Sequence, residues 1–241
     1  MDAQYVGAYR ALYERHWWWR SREVLLTREL ERIAAGRPVG RILDVGCGDG
    51  LFFPVLHRFG DPFGVEPALD ALSPDGPWRA RIHAGPLDDA FQPDAPFDLV
   101  LALDVIEHLD DPDAFLRQVR RVAAPGAWFV VTVPAFRALW TAHDDLNAHI
   151  TRFTRAELGA LLSAHGFEVR HARYFFVLLA AVKLAVRGVE RILGARPRTP
   201  QVPAAPINAA LRLVCAAEQA VLGRHALWFG SSLLMIARAP R

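Results

Sequence analysis

The sequence Arg41-Ile42-Leu43-Asp44-Val45-Gly46-Cys47-Gly48-Asp49-Gly50 predicts a buried strand that ends in a loop with glycine at every second position. Glycine has no Cβ atom, so the backbone of such a loop can approach a ligand closely. Residues 51–59 are predicted to continue as a helix whose free N-terminal N–H groups face the loop. We therefore expect the loop to wrap around a ligand.

The next predicted strand, Phe63–Glu66, ends in a carboxylate. An acid at this distance after the glycine loop can accept hydrogen bonds from both hydroxyls of a ribose. A dinucleotide fingerprint would have its third glycine where this chain has Leu51. Asp44 would repel a pyrophosphate, but it can pair with an ammonium group. The pattern therefore favours a ligand with a ribose and an amino-acid ammonium, such as S-adenosylmethionine, over a dinucleotide.

Residues Leu43–Gly50 resemble the first motif of the class I S-adenosylmethionine-dependent methyltransferases, and the resemblance covers roughly residues 40–175. It implies that S-adenosylmethionine is the cofactor and that Asp44 and the glycine loop hold its methionine part. It also implies that Glu66 binds the ribose, that Asp88 or its neighbour Asp89 binds the adenine amino group, and that the backbone near Asp104 lies by the cofactor. The cofactor-binding residues that we predict are Asp44, Gly46, Cys47, Gly48, Gly50, Glu66, Asp88 and Asp104.

The segment after the fourth predicted strand, Asp104–Leu109, resembles the family motif whose side chains face the substrate. On that basis His108 is a candidate general base. The alternative is that Glu107 and His108 only begin a helix. Nucleic-acid adenine methyltransferases have an Asn- or Asp-Pro-Pro-aromatic motif here, so the segment argues against that class.

The loop 140–153 is the part of the chain richest in side chains that can do chemistry. A similar run occurs in a bacterial subgroup of these methyltransferases, some of which resemble ubiquinone-biosynthesis O-methyltransferases. We predict that His143 or His149 binds the substrate or acts as a base, with structural hydrogen bonding as the alternative. His143, Asp144 and His149 could also ligate a metal. Because a spacing of six residues does not put both histidines on one helical face, we predict no metal. The predicted catalytic residues are His108, His143 and His149.

Strands and helices alternate along the chain, which predicts an α/β fold with a Rossmann-like doubly wound sheet. The resemblance adds that the sheet has seven strands and that the last strand is antiparallel. Asp111 and Thr154 are expected to begin helices, because each is a preferred N-cap residue. The predicted parts are an N-terminal helical lid (1–37), an S-adenosylmethionine-binding core (38–174), a helical insertion (175–222) and a final strand that completes the core (223–241).

Two parts outside the core are expected to shape the acceptor site. Tyr5, Tyr9, Tyr13 and Trp17 recur every four residues and so predict one aromatic stripe on a helix, which forms a lid or packs against the sheet. The apolar run in 175–222 is too short and too charged to span a membrane. It predicts an amphipathic helix that covers an apolar pocket, forms a dimer face or lies on a membrane surface.

Composition limits the remaining classes of function. The chain has 241 residues, of which 52% are hydrophobic and 22% charged, as expected for one α/β domain with additions. Its net charge is +2, its arginines are scattered and Lys183 is its single lysine, so we expect no nucleic-acid partner. Cys47 and Cys215 are too few for a disulfide scaffold, and residues 1–9 lack the pattern of a cleavable signal peptide. A cytoplasmic protein is expected.

These observations predict an S-adenosylmethionine-dependent methyltransferase that acts on a small or lipophilic acceptor, at oxygen rather than at nitrogen or carbon. Cyclisation or decarboxylation with the same cofactor fits the same motifs, and a protein substrate also stays open. Two other classes remain as alternatives: a dinucleotide-dependent oxidoreductase and a protein that binds S-adenosylmethionine without catalysis. A homodimer and peripheral contact with a membrane are both compatible with the insertion.

Overall fold

The computed structural model describes residues 3–193, 200–222 and 227–241. A seven-stranded sheet has the order β3-β2-β1-β4-β5-β7-β6. Its strands are β1 Gly40–Val45, β2 Gly60–Glu66, β3 Ile82–Ala84, β4 Phe97–Leu103, β5 Ala123–Pro134, β6 Glu168–Phe175 and β7 Ser232–Arg238. The helices are α1 Ala3–Arg15, α2 Trp17–Ala34, α3 Phe53–Leu56, α4 Pro112–Val122, α5 Ala142–Leu146, α6 Arg155–Ala164, α7 Val177–Leu193 and α8 Ala205–Leu222.

The strand directions place the site at one edge of the sheet. β1 pairs in parallel with both β2 and β4, and β4 pairs in parallel with β5. β7 runs antiparallel to β5 and β6. The predicted fold, a Rossmann-like doubly wound sheet with its last strand antiparallel, is confirmed. Because the chain reverses its direction of progress at β1 and β4, the crevice outside their carboxyl ends is where such folds bind ligands.

Both faces of the sheet are buried, as expected for parallel strands covered by helices. On β4, Val100 and Ala102 belong to one apolar layer, and Leu99 and Leu101 belong to the opposite one. All four side chains are fully buried. Burying each large aliphatic side chain contributes roughly 1.5–3 kcal/mol, so the central strands anchor the loops that follow them.

Two helix starts are confirmed, and three boundaries differ from the prediction. Asp111 accepts a hydrogen bond from the Ala114 N–H, and Thr154 forms a capping box with Glu157. The helix expected at 51–59 is only α3, because turns flank it and Gly60 already begins β2. The sequence pattern also predicts a third strand at 80–85 and a fifth strand at 127–133. The structure has a shorter third strand, Ile82–Ala84, and a fifth strand that already begins at Ala123, with an irregular register between the pairings of Phe97 and Leu99.

The N-terminal aromatic residues lie on two helices, so the prediction of one continuous stripe is wrong. His16 is the N-cap of α2, and its ring accepts a hydrogen bond from the Trp18 N–H at 3.1 Å. The Tyr9 ring packs edge-on against Trp19 at 6.1 Å, whereas Trp17 packs on Phe176. The side chain of Tyr5 lies outside the described residues.

The insertion helices expose their apolar side chains instead of burying them. On α7 the half-buried side contains Lys183 and Arg187, whereas the exposed side chains are Leu178, Val182, Leu184, Val186 and Val189. On α8 the buried side contains Glu218 and Gln219, whereas the exposed apolar side chains include Ile207, Leu213, Val214 and Val221. In the described parts of the chain, every helix is too short or too polar to cross a membrane.

Buried polar groups of α8 hold the N-terminal helices and the insertion together. The Asn208 side chain accepts from the Trp17 N–H at 2.8 Å and donates to the Arg15 carbonyl at 2.8 Å. Gln219 donates to the Ser21 carbonyl, and Glu218 accepts the first N–H groups of α7. The two parts that the sequence places outside the core therefore contact each other above the carboxyl edge of the sheet.

Candidate functional site

A cavity of about 690 Å³ opens at the carboxyl ends of β1, β2, β4 and β5. One end is formed by the glycine loop and by Glu66, and the other end by α5 and α7. Seven of the predicted site residues line it, namely Gly46, Gly48, Glu66, Asp104, His108, His143 and His149. Asp44, Cys47, Gly50 and Asp88 are absent from its lining.

The glycines of the loop are needed for different structural reasons. Gly46, Gly48 and Gly50 all have positive φ, at 72°, 54° and 69°, where other residues are strained. A Cβ atom on Gly46 would lie 2.9 Å from Val105 Cγ2. A Cβ atom on Gly48 would have no heavy atom within 4 Å. Gly48 therefore leaves open space beside the loop, as a site for a ligand requires.

Glu66 is held by the loop that it faces. Its carboxylate accepts one hydrogen bond from the Gly48 N–H and one from the Ala68 N–H, both at 2.8 Å. Burial raises the pKa of Glu66, while these two N–H groups lower it. The carboxylate still has free lone pairs, so it can accept further hydrogen bonds from a ligand.

Asp44 and Cys47 lie in the layer beneath the cavity. Asp44 is only 4% exposed. Burial raises the pKa of Asp44 to about 7, the charge of Arg22 lowers it, and Glu66 raises it further. Burial also raises the pKa of the Cys47 thiol. The Cys47 thiol therefore packs as a neutral group, whereas Asp44 changes charge near neutral pH.

Arg22 of α2 is a site residue that the sequence did not indicate. Its guanidinium forms an ion pair with Asp104 at 2.6 Å and donates to the Thr132 hydroxyl at 3.2 Å. Asp104 has a φ of 59°, a strained conformation that is typical of functional sites. Helix α2 contains other arginines, Arg20, Arg28 and Arg32, and no sequence motif distinguishes Arg22 from them.

Asp88 lies apart from the other predicted cofactor residues. Its carboxylate accepts from the Ala90 N–H at 2.9 Å and so closes its own turn. The neighbouring Asp89 accepts from Gln118 on α4. Residues 70–73 line the cavity on that side instead. Binding of adenine by Asp88 stays a prediction.

His149 is oriented by a buried ion pair. Its Nδ1 lies 2.8 Å from Asp144, and Asp144 accepts two hydrogen bonds from the Arg152 guanidinium, at 2.8 and 3.0 Å. Burial alone would raise the pKa of Asp144, but His149 and Arg152 outweigh burial and hold that pKa well below its usual range. An ionised Asp144 only accepts, so Nδ1 of His149 carries the proton and Nε2 has the free lone pair.

His108 and His143 complete the histidine end of the cavity. The His108 ring centroid lies 4.9 Å from that of His149. Burial lowers the pKa of His108, and protonation of His149 would lower it further. His143 lies with its Nε2 at 3.0 Å from the Asn147 amide nitrogen. Burial and the charge of Lys183 lower the pKa of His143 to about 4. The structure therefore brings all three predicted histidines together.

Glu107 is buried at the wall of the cavity with an unusual environment. Its side chain is 0% exposed, and among the described residues neither carboxylate oxygen has a hydrogen-bond partner. Burial and the charge of Asp104 raise the pKa of Glu107 well above its usual range, which favours its neutral form. One potential metal-ligand atom from each of Glu107, His108 and His149 lies within 4.8 Å of the other two. The expectation that the site holds no metal stays a prediction.

Three comparisons relate the chain to known proteins. The profile of a family described as a methyltransferase domain matches residues 18–172. A Mycolicibacterium smegmatis protein with the name "probable S-adenosylmethionine-dependent methyltransferase" is 36% identical, over 66% of this chain and 62% of the relative. The ubiquinone biosynthesis O-methyltransferase of Azorhizobium caulinodans is 32% identical, over 54% of this chain and 59% of the relative. The chain therefore spans about three fifths of the length of these curated relatives.

The fold has a counterpart among solved structures. An S-adenosylmethionine-dependent methyltransferase from Archaeoglobus fulgidus superimposes with a TM-score of 0.53 and 17% sequence identity. The superposition covers 90% of this chain and 94% of that protein. This likeness concerns the fold.

Proposed function

Because this chain belongs to the class I S-adenosylmethionine-dependent methyltransferases and shares their cofactor, we propose that it transfers the methyl group of S-adenosylmethionine to a hydroxyl oxygen of a small, largely apolar acceptor. One observation carries this proposal. The cavity that begins at the glycine loop ends at His149, whose ring is fixed by the buried pair Asp144 and Arg152.

The residues at the cofactor end fit S-adenosylmethionine. Glu66 has lone pairs free for the ribose hydroxyls, and Gly48 leaves room beside the loop. Asp44 and Asp104 supply negative charge for the ammonium, and Arg22 supplies a cation for the carboxylate. The bound sulfonium supplies an already activated methyl group, so the protein has to hold the two reactants in line and remove one proton.

His149 is the residue that we assign to the proton. Its Nε2 lone pair can accept the proton of an acceptor hydroxyl, and the imidazolium that forms is stabilised by the Asp144 carboxylate. His143 is a weaker base, because its pKa is lowered to about 4. We therefore assign His143 and His108 to positioning the acceptor.

The walls around the histidines indicate the acceptor class. Trp17, Trp18, Pro134 and Leu179 line this end of the cavity. The Trp18 ring also packs on Phe176 at 6.1 Å between centroids. Such walls exclude water and bury an apolar ring or chain. The name of the Azorhizobium relative, an O-methyltransferase, supports oxygen as the methylated atom.

The test of this function is calorimetric titration with S-adenosylhomocysteine, with NAD as a parallel control, followed by an acceptor screen with methyl-labelled S-adenosylmethionine. We expect saturable binding of S-adenosylhomocysteine alone and transfer of label to a phenol or an alcohol. Binding of NAD alone, or of neither, contradicts the assignment of the cofactor. Binding without transfer to any acceptor supports the alternatives, which are cyclisation or decarboxylation with the same cofactor and a binding protein without catalysis.

Cofactor binding is expected to depend on the charge of Asp44. Its pKa of about 7 means that Asp44 is protonated below neutral pH, and only the ionised form attracts an ammonium. Affinity for S-adenosylhomocysteine should fall about tenfold for each pH unit below that pKa and stay constant above it. Arg22 and Glu66 stay in place in Asp44→Asn, so that variant should bind weakly with a flat profile. Equal slopes in the two proteins would contradict the role of Asp44.

The exposed apolar side of α7 and α8 is the proposed contact with a second copy of the chain. Helices that lie on membranes present several basic side chains beside their apolar face. Here Lys183 and Arg187 lie on the protein side of α7, and α8 contributes a single exposed basic side chain, Arg212. We expect a homodimer by light scattering, and a monomer for Leu213→Glu. Val24→Glu, a similar change on an exposed side of α2, is the control and should stay dimeric. A monomeric wild-type chain that sediments with liposomes would show that a lipid surface is the partner.

A further inference from the structure

We propose that the acceptor carries a carboxylate, apart from the hydroxyl that is methylated, and that the Lys183 ammonium on α7 binds it. The inference deepens the proposed function and rests on the histidine end of the cavity being the acceptor site. Lys183 is the only lysine of the chain.

The pairing of cations along the cavity singles out Lys183. Of the residues that the structure describes, three cationic side chains line the cavity besides the histidines, and they are Arg10, Arg22 and Lys183. Arg10 pairs with Asp49, and Arg22 pairs with Asp104. Among the described residues, Lys183 has no ion pair and no hydrogen bond that would neutralise it.

The carboxylates nearest to Lys183 are already engaged. Asp144 attracts Lys183 electrostatically, but its oxygens accept from Arg152, His149 and Thr141. Asp104 also attracts Lys183, but its carboxylate forms an ion pair with Arg22 at 2.6 Å. The ammonium therefore faces the cavity with its donors free.

The neighbouring charges leave this part of the cavity electropositive. Burial and the charge of Arg152 lower the pKa of Lys183 to about 8, whereas Asp144 and Asp104 raise it. At neutral pH the group is therefore still a cation. A half-buried cation that has no ion pair of its own among the described residues favours an anionic ligand, and an incoming carboxylate can form that pair.

Arg187, one turn further along α7, is a cation whose hydrogen bonds are to the protein backbone. Its guanidinium donates to the backbone carbonyls of Arg137 and Ala138 and thereby holds the loop that follows β5. Arg187 does not line the cavity. It is therefore the matched control for Lys183, because both are half-buried cations on the same side of the helix.

The experiment compares 2-naphthoate with 2-naphthamide, two probes of the same shape that differ in charge, by calorimetry in the presence of S-adenosylhomocysteine. We expect the wild type to bind the acid more tightly than the amide. Lys183→Met should lose about 10- to 100-fold in affinity for the acid and leave the amide unchanged. Lys183→Arg should keep the preference for the acid, and Arg187→Met should keep it too.

Several outcomes would overturn the inference. They are no binding of naphthoate by the wild type, equal binding of acid and amide, or an unchanged preference in Lys183→Met. If Lys183→Met does not fold, the comparison of wild type, Lys183→Gln and Lys183→Arg decides the question. Titration of each variant with S-adenosylhomocysteine tests the proposed function separately, since Lys183 belongs to the acceptor end. A preference that depends on Lys183 without any binding of S-adenosylhomocysteine would leave Lys183 as a carboxylate-binding residue but contradict the proposed function, and with it the assignment of that carboxylate to a methyl acceptor.

Discussion

Replacing Gly48 by alanine is expected to abolish most of the affinity for S-adenosylhomocysteine while the protein still folds. The new methyl group meets no heavy atom of the described residues within 4 Å, so the substitution costs only the strain of a positive φ. That strain is roughly 1–2 kcal/mol. In the cavity, however, the methyl group takes up space beside the loop, and overpacking of this kind costs about 1–3 kcal/mol, or about 5- to 150-fold in affinity.

Gly36→Ala is the matched control for this prediction. Gly36 also has a positive φ, 81°, and a Cβ atom there would also meet nothing within 4 Å. It lies in the turn between α2 and β1, outside the lining of the cavity. The two variants should lose similar stability in thermal unfolding, and only Gly48→Ala should lose affinity in calorimetry. Equal affinity in both would mean that the cofactor does not approach the loop at Gly48.

The central part of the fold could be predicted because its elements are specified by residues that are close together in the sequence. The strand before the glycine loop is apolar on both faces, and Asp111 and Thr154 cap their helices through contacts within a few residues. Such local patterns need no knowledge of the rest of the chain. The same holds for Gly48 and Glu66, which are adjacent in space because parallel strands end at the same edge.

Features that depend on distant contacts could not be predicted. His16 interrupts the aromatic stripe because it caps α2, and the two helices are held by Asn208 far along the chain. The polar sides of the insertion helices face inward, where Glu218 accepts a hydrogen bond from the first turn of α7 and Lys183 lines the cavity. A periodic pattern in the sequence gives the two sides of a helix but does not state which side faces the protein.

The candidate site shows the same division. His108 was predicted from the resemblance of residues 104–109 to a family motif, and His143 and His149 were predicted because their segment is rich in polar side chains. Arg22 was missed because its partner Asp104 lies on another element. The sequence analysis singled out Lys183 only as the single lysine of the chain, since its position at the cavity depends on how α7 packs. Charges in a cavity are brought together by the fold, so single-sequence spacing cannot pair them.

Replacing His149 by alanine is expected to lower kcat by about 10²- to 10⁴-fold, which is the usual contribution of a general base. Affinity for S-adenosylhomocysteine should be unchanged, because His149 lies at the opposite end of the cavity from the glycine loop. His143→Ala and His108→Ala should lose less in kcat and more in KM, because the pKa of both histidines is lowered and they position the acceptor. The rates are measured by label transfer to the acceptor that the screen identifies.

His165 supplies the control that separates catalysis from the loss of a histidine–aspartate pair. Its Nε2 lies 2.7 Å from Asp113, much as His149 lies 2.8 Å from Asp144, but His165 ends α6 on the surface, outside the cavity lining. His165→Ala should therefore keep full activity. A pH profile adds a second readout, because loss of a base removes the acidic limb of kcat, whereas loss of a merely structural pair lowers the whole curve. Full activity in both His143→Ala and His149→Ala would remove the loop 140–153 from the mechanism and leave His108 as the remaining histidine base.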